Sequence, residues 1–354
     1  MVFDIVETMN GGGAKCDVLC VSDTSAGFIE TDRGYKIVRT PMFGTVSSVP
    51  ISPTNPLAYR GLHADYNIIH LHAPNPLANL AAMLFPTKAK LVVHWHSDIL
   101  KPKAQMMIYE PLQKWMLNRA DAIVATSENY ARSSVPLRDH QHKVHVIPIG
   151  ADLDDLRPDS GKVLRIKQTY EGRFLVFCLG RLAAYKGFDY IIEAARKLDG
   201  CQIMIGGKGP DFRRLHELIE KQGVQDRVAL LGGIDHSELA SYYAAADVFC
   251  LPSHLRTEAY GVVQLEAMAL GTPVVSTAIP GSGVGWVNAH EESGLVVAPR
   301  SSDQLADAIM RLKNGEALRA ALAQGGRERY ERLFRHDTMV DKIQNLYQTL
   351  TRNG

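Results

Sequence analysis

The sequence predicts an α/β protein built from two doubly wound units, and three observations carry that prediction. The chain has 354 residues, whereas a single hydrophobic core rarely grows beyond about 250–300 residues. Short, almost continuously apolar runs alternate with helical patterns, which is the mark of parallel strands buried on both faces under helices. The runs fall into two series, separated by the Pro-, Asp- and Gly-rich stretch PIGADLDDLRPDSG at 148–161.

The first series is CDVLCVS, YKIVRT, NIIHLHA, KLVVHWH, DAIVATS and VHVIPIG. The second is RFLVFCLG, CQIMIGG, RVALLGG, DVFCLP, TPVVST and SGLVVAP. KVLRIKQTY reads as a short connecting helix, and HDTMVDKIQNLYQTL as an amphipathic closing helix. The expected division is 1–155, 156–335 and a final helix at 336–354. The opening MVFDIVETMNGGGAKCDVLCVS reads as helix, glycine turn, strand. A doubly wound unit should begin with a strand, so the first sheet is expected to lack one.

Composition excludes several classes. The formal net charge of +1 gives no polycation to bind nucleic acid. Cys16, Cys20, Cys178, Cys201 and Cys250 lie in or beside apolar runs without metal-ligand spacing, as buried, reduced cysteines of a cytoplasmic protein do. The longest uncharged run, Ala267–Ala289, is broken by Pro273, Pro280 and several glycines, so it is no spanning helix.

The chemistry centres on RTEAYGVVQLEAMALG, where Glu258 and Glu266 bracket seven uncharged residues. Gly261–Leu270 has helical composition and Gly271 is a plausible stop. Eight positions at ~100° leave the two acids about 80° apart around the axis, so both can look into one cleft. Carboxylates there suit sugar hydroxyls as ligands, and the N–H groups of Tyr260, Gly261 and Val262 suit an anion. In GRLAAYKG, Gly180–Gly187, Arg181 and Lys186 follow an apolar strand and supply a clamp for a diphosphate. Gly206, Gly207 and Gly209 in IMIGGKGP allow either close approach of a ligand or simply a tight turn. Gly232, Gly233 and Ile234 close another strand.

In the first half, His70 with His72 and His94 with His96 each share a strand face. Four histidines raise the question of zinc, but no acidic or cysteine ligand pattern accompanies them. They read better as a cleft wall in which His96, nearest the loop, donates to a ligand.

Taken in order, GRLAAYKG, GGKGP, LLGGI, ADVFCLPS, EAYGVVQLEAMALGTPVV and SGLVVAP resemble the retaining glycosyltransferases of family 4, which have the GT-B fold. The resemblance covers nearly the whole chain. It implies two facing Rossmann-like domains, an acceptor-side first and a nucleotide-sugar-binding second, with the last helix crossing back. It implies that Arg181 and Lys186 bind the donor diphosphate and that Glu266 takes the ribose hydroxyls. Glu258 and the backbone of Ala259–Val262 would hold the donor sugar and phosphate. Gly207 and Gly209 would line the donor site, Gly233, Ile234 and Asp235 would lie near the base, and His96 would touch the donor sugar.

No metal or cofactor is implied; the donor, GDP-mannose or a UDP-hexose, is a substrate. Details of the motifs look most like bacterial O-antigen and capsule enzymes, which implies a lipid-linked saccharide acceptor at the inner membrane face. Lysines in PTKAK (86–90) and LKPKAQ (100–105) would suit a peripheral contact there. The family normally opens with a strand and a Gly-Gly loop near the donor phosphate, which MVFDIVETM does not match. Two other readings share the fold: a nucleotide-sugar epimerase, against which the Glu258–Glu266 spacing counts, and a non-catalytic or N-terminally truncated nucleotide-sugar-binding homologue.

Overall fold

The computed structural model describes residues 2–32, 34–46, 49–99 and 103–352. The chain divides into two compact units: Met1–Gly150 with His336–Gly354, and Ala151–Arg335.

The first unit begins with helix α1 (Val2–Gly11) and strands β1 (Val18–Val21), β2 (Phe28–Asp32) and β3 (Tyr35–Thr40), followed by a two-residue ladder of β4 (Thr45–Val46) and β5 (Val49–Pro50). Then α2 (Asn55–Leu62), β6 (Ile68–Ala73), α3 (Pro76–Leu84), β7 (Lys90–Trp95), α4 (Lys103–Arg119), β8 (Ala122–Ala125), α5 (Glu128–Ser133) and β9 (Val144–Val146) alternate. Side chains of Asn75 and Ser127 cap α3 and α5 by accepting from the third backbone N–H beyond them. All six predicted runs of this half contain strands. Missing from the prediction were β4, β5 and β2, whose FIETD is apolar only in its first two residues, both exposed, and pairs antiparallel to β3.

The strands of this unit form separate sheets, β1-β3-β2 and the parallel β6-β7-β8-β9, besides the small β4-β5 ladder. Among the described residues no ladder joins β1 to β6. The consequence shows in burial. All of β8 is buried and so is β7 beyond its first residue, whereas every residue of β1 and four of the six in β6 are only half-buried. Cys16 and Cys20 are likewise half-buried rather than in the core, while Cys178, Cys201 and Cys250 are buried as expected; all five are free thiols. Helix α1 ties the sheets together: Ile5 and Met9 pack with Val92 and Val124, and Val6 packs with Tyr35 and Ile37.

The second unit contains α6 (Ser160–Thr169), β10 (Phe174–Leu179), α7 (Phe188–Ala194), β11 (Cys201–Gly206), α8 (Phe212–Gln222), β12 (Val228–Gly232), α9 (His236–Ala245) and β13 (Val248–Leu251). After these come α10 (Val263–Ala269), β14 (Val274–Thr277), α11 (Val284–Val287), β15 (Gly294–Val297), α12 (Ser302–Asn314) and α13 (Glu316–Leu333). One parallel sheet runs β12-β11-β10-β13-β14-β15, so strand order reverses between β10 and β13. That reversal opens a crevice at the carboxyl ends of these two strands, where doubly wound sheets bind ligands. Val176, Cys178, Ile203, Ile205 and Cys250 meet Ile191, Leu215 and Ile309 in its core.

The last helix, α14 (His336–Arg352), belongs to the first unit. Its buried stripe of Met339, Val340, Ile343 and Leu346 joins the cluster of Val92, Ala122, Val124 and Ile147. Among the described residues, no helix is long and apolar enough to cross a membrane.

Candidate active site

The loop after β10 and the loop after β13 meet at the switch point of the second unit. Gly187 ends the first loop in a left-handed conformation, φ 67°, and a Cβ there would lie 2.2 Å from the Pro252 carbonyl oxygen. Only glycine permits both. The Tyr185 carbonyl accepts from the His254 N–H at 3.0 Å. Across this seam the Lys186 ammonium lies 2.5 Å from Glu258 Oε2, with both residues buried, and the Ser253 hydroxyl donates to the same oxygen at 3.1 Å. The loop after β14 braces Glu258 from behind. The Ser282 hydroxyl donates to the Glu258 carbonyl, and the Gly283 N–H donates to the Ala259 carbonyl at 2.8 Å.

Lys186 therefore differs from the expected open clamp. A buried ammonium needs a compensating charge, and Glu258 supplies it, leaving Arg181 as the exposed cation of the predicted pair. Among the described residues Arg181 forms no ion pair with either acid. Lys208 is a further exposed cation on a neighbouring turn: the Leu182 N–H donates to the Lys208 carbonyl at 3.0 Å, and its side chain lies over Gly233.

Glu266 has a different partner from Glu258. It lies on α10, which starts two residues later than the sequence suggested, and accepts a hydrogen bond of 2.7 Å from Tyr243 Oη. Burial pushes the Glu266 carboxyl above the ordinary carboxylate range, against the lowering effects of the Tyr243 bond and of His236. Burial and that carboxylate also push the Tyr243 phenol well up, which keeps it the donor. Ala259 is half-buried, Tyr260 and Gly261 are buried, and Val262 is exposed just ahead of α10. Tyr260 packs edge-on against Phe334.

The glycine turn after β11 is required by the chain itself. A Cβ on Gly207 would lie 1.8 Å from the Gly180 carbonyl oxygen, and one on Gly209 would lie 2.2 Å from that of Leu182. Beyond β12, the Ile234 side chain covers Gly206, while Gly233 and the α9 N-cap Asp235 are exposed.

Sequence reasoning missed Lys208, Tyr243, Ser253 and Ser282. Lys208 sits inside a motif that was read for its glycines alone. Nothing in local spacing marks the other three: Ser253 shares the loop of Glu258, while Tyr243 and Ser282 reach the acids from other elements.

Glu266 gives a direct test. Glu266→Gln is expected to weaken nucleotide binding about tenfold or more, the range of a lost charge-assisted hydrogen bond. A carboxylate with a raised pKa binds hydroxyls above that pKa and loses them as pH falls through it, in a window beginning above the ordinary 4.5. Nucleotide affinity of the native protein should accordingly fall on acidification, and that of the Gln variant should not. Calorimetric titrations at several pH values measure both; identical affinities in the two proteins would remove Glu266 from the site.

The first unit carries a stack of four imidazoles. Register places His72 beside His94 on adjacent parallel strands, which aligns His70, His72, His94 and His96 on one face. Ring centroids are 4.4–5.4 Å apart with planes within 12–21°. His72 Nδ1 and His96 Nε2 share a hydrogen bond of 2.9 Å, and His70 Nδ1 pairs with Tyr347 Oη of α14 at 2.5 Å. His70 Nε2 and both nitrogens of the fully buried His94 are unpartnered. Burial, and in most cases the neighbouring imidazoles, lower all four: His96 to about 4, His70 to about 3, His72 to about 2, and His94 well below its usual value. Ring nitrogens of His70, His72 and His94 lie within 4.8 Å of one another. Near-parallel rings do not aim their lone pairs at a common point, so this arrangement is a wall rather than a chelate. The turn after His96 is fixed by Asp98, which accepts from Trp95 Nε1 and Ser134 Oγ. Of the four lysines expected on this unit, Lys88 is exposed and Lys90 pairs with Asp121 at 3.7 Å. Lys101 and the side chain of Lys103 lie outside the described residues.

Two α/β units, each with a parallel sheet, are the architecture of the GT-B class, and the relatives and family models that the chain matches make it a glycosyltransferase. The chain belongs to glycosyltransferase family 4: that family matches residues 1–155, and the family of glycosyl transferases group 1 matches 160–329. The O-antigen chain mannosyltransferase C of Escherichia coli is 31% identical over 339 residues, spanning 96% of this chain and 90% of that one. The D-rhamnosyltransferase WbpZ of Pseudomonas aeruginosa is 28% identical, over 94% and 87% of the two chains. Among solved structures, sucrose-phosphate synthase from Thermosynechococcus elongatus superposes with a TM-score of 0.83 at 25% identity, covering 100% and 93%. Anabaena HepE in complex with UDP and glucose superposes with a TM-score of 0.75 at 20% identity, covering 98% and 94%, and shows the same fold.

Proposed function

We propose that this glycosyltransferase moves a hexose, with mannose the first choice, from a nucleotide sugar to a lipid-linked oligosaccharide in surface polysaccharide synthesis. The observation that carries this reading is the buried Lys186–Glu258 pair where strand order reverses, with the exposed Arg181 on the same loop as Lys186. An E. coli relative is named for O-antigen mannosyl transfer and a mycobacterial one as GDP-mannose-dependent, which favours GDP-mannose over a UDP-hexose.

In this mechanism the bond from sugar to phosphate breaks through an oxocarbenium-like state. Arg181 and the Lys186 ammonium stabilise the departing diphosphate by fixed positive charge, without a metal ion. Glu258 orients Lys186 and faces the sugar, and Glu266 takes the ribose hydroxyls. His96 donates to the donor sugar. The acceptor hydroxyl attacks from the face the diphosphate leaves, a phosphate oxygen takes its proton, and configuration is retained. The backbone of Ala259–Val262 and the turns at Gly207, Gly209 and Gly233–Asp235 complete the donor pocket. The enzyme works in the cytoplasm, against the inner face of the membrane that holds its acceptor.

A thermal-shift panel of GDP- and UDP-sugars tests the donor. At a hundredfold excess over Kd a donor adds about 2.7 kcal/mol, or roughly 5–10 °C for a unit of this size. GDP-mannose should give that shift and UDP-hexoses a smaller one; no shift with any of them sinks the proposal. In transfer assays with a lipid-linked acceptor, Arg181→Ala should lower kcat by about 10²-fold with little change in KM, the signature of charge stabilised only in the transition state.

A further inference from the structure

We infer that Arg329, on α13, is a positioning residue for transfer: it fixes the end of α11 and, through the loop that leads into α11, the backbone of Glu258. The inference rests on Glu258 serving transfer as proposed above.

Arg329 is a cation only 9% exposed. Its guanidinium lies against the rings of Trp286 and Phe334, 5.6 and 5.7 Å from their centroids. Nε donates to the Val287 carbonyl at 3.0 Å and Nη2 to the Trp286 carbonyl at 2.7 Å, the last two residues of α11. Carbonyls at the end of a helix have no acceptor role left within it, so the fork supplies what the helix cannot. Nη1 meets Glu292 at 3.3 Å, but that carboxylate is exposed and also takes Arg332. Burial lowers the guanidinium pKa below its ordinary value, a sign of lost hydration. An apolar side chain against Trp286 and Phe334 would avoid that cost. It could not hold two successive carbonyls in one register, as a planar fork does.

From α11 the bonds lead directly to the site. The Val284 N–H donates to Ser282 Oγ at 3.1 Å, and the Ser282 hydroxyl donates to the Glu258 carbonyl. At the other end of the same loop, the Thr277 hydroxyl donates to the carbonyl of Ser253, whose own hydroxyl holds the Glu258 carboxylate. Helix α13 braces this loop from close quarters. A Cβ on Gly325 would lie 2.0 Å from the Glu292 carbonyl oxygen, and one on Gly326 would touch Met268 of α10. Released by Arg329, the loop keeps its bonds to Glu258 but no longer fixes where they are. A displacement of about 1 Å in a reacting group costs up to about 10²-fold in rate. Nucleotide binding, which falls to Glu266, is left intact.

The test is a double-mutant cycle in the full-length protein, using the donor that the thermal-shift panel selects and the lipid-linked acceptor. The kcat, donor KM and melting temperature are measured for Arg329→Met, Ser282→Ala and the two combined. Each single variant is expected to lower kcat about tenfold or more, with donor KM within about twofold. The combined variant should lose little more than either alone, because both substitutions release one loop. Glu292→Gln, which leaves both carbonyl bonds in place, should keep its kcat. A native kcat in Arg329→Met, losses that multiply in the combined variant, or an equal loss in Glu292→Gln would each reduce Arg329 to a role in folding and overturn the inference. Should Arg329→Met not fold, Arg329→Lys replaces it: the charge stays but cannot fork across two carbonyls, and a native kcat there overturns the inference equally. Glu258→Gln, run alongside, separates this inference from the reading of the site. Normal transfer in Glu258→Gln sinks both; loss of transfer there with a native kcat in the Arg329 variants sinks the inference alone.

Discussion

Glu258→Ala is expected to abolish measurable transfer and at the same time to destabilise the second unit. The two effects have different causes. The buried Lys186 ammonium keeps its charge but loses its partner, and breaking such a pair costs about 3–5 kcal/mol. For a unit of this length that corresponds to a melting temperature lower by about 10 °C. Lys186→Met alone should also destabilise, because it leaves the carboxylate with, among the described residues, the Ser253 hydroxyl as its donor. The double variant Lys186→Met with Glu258→Leu separates structure from chemistry. A buried pair replaced by apolar side chains of similar volume is often neutral or stabilising, so most of the melting temperature should return. Transfer should not. Recovery of activity in the double variant would show that the pair serves only folding, and the mechanism above would fall.

The second large effect is acid lability of the first unit. In the unfolded chain each imidazole binds its proton below about pH 6.5. Folded, His96 resists protonation until about 4, His70 until about 3 and His72 until about 2, and His94 is lowered well below its usual value. Below 6.5 the unfolded state therefore binds more protons, and stability falls as pH drops from there toward 4. Each such histidine contributes a slope of up to about 1.4 kcal/mol per pH unit. Several together exhaust the 5–15 kcal/mol of a typical domain within a few pH units. Urea unfolding followed through the buried Trp95 should show this steep loss between pH 6.5 and 4.5. His94→Leu, which removes an imidazole with two unpartnered nitrogens, should flatten the slope by about one proton. An unaltered slope in that variant would mean that His94 does not couple to folding.

How far these features could be read from the sequence follows from how local each one is. All twelve apolar runs are strands, because burial on both faces leaves a continuous signal. The residues of β2 left no such signal, being half polar for a sheet edge. The histidines announced themselves in pairs at i and i+2. Their union into one stack depends on the register of β6 with β7, which no spacing encodes. Both acids of the candidate site stand out by their uncharged surroundings, and Lys186 by its place after a strand. That Lys186 faces Glu258 follows from the reversal of strand order, a property of the whole sheet. Tyr243 reaches Glu266 from a helix whose composition is ordinary, and only packing reveals it.

Helix α14 supplies Met339, Val340, Ile343 and Leu346 to a cluster whose other members, from Ile5 to Ile147, are synthesised first. A ribosome therefore delivers Ala151–Arg335 whole before it delivers the segment on which the opening half relies. On the nascent chain the middle can mature while the beginning waits with apolar surface uncovered. The first unit is thus completed only after the second has been made.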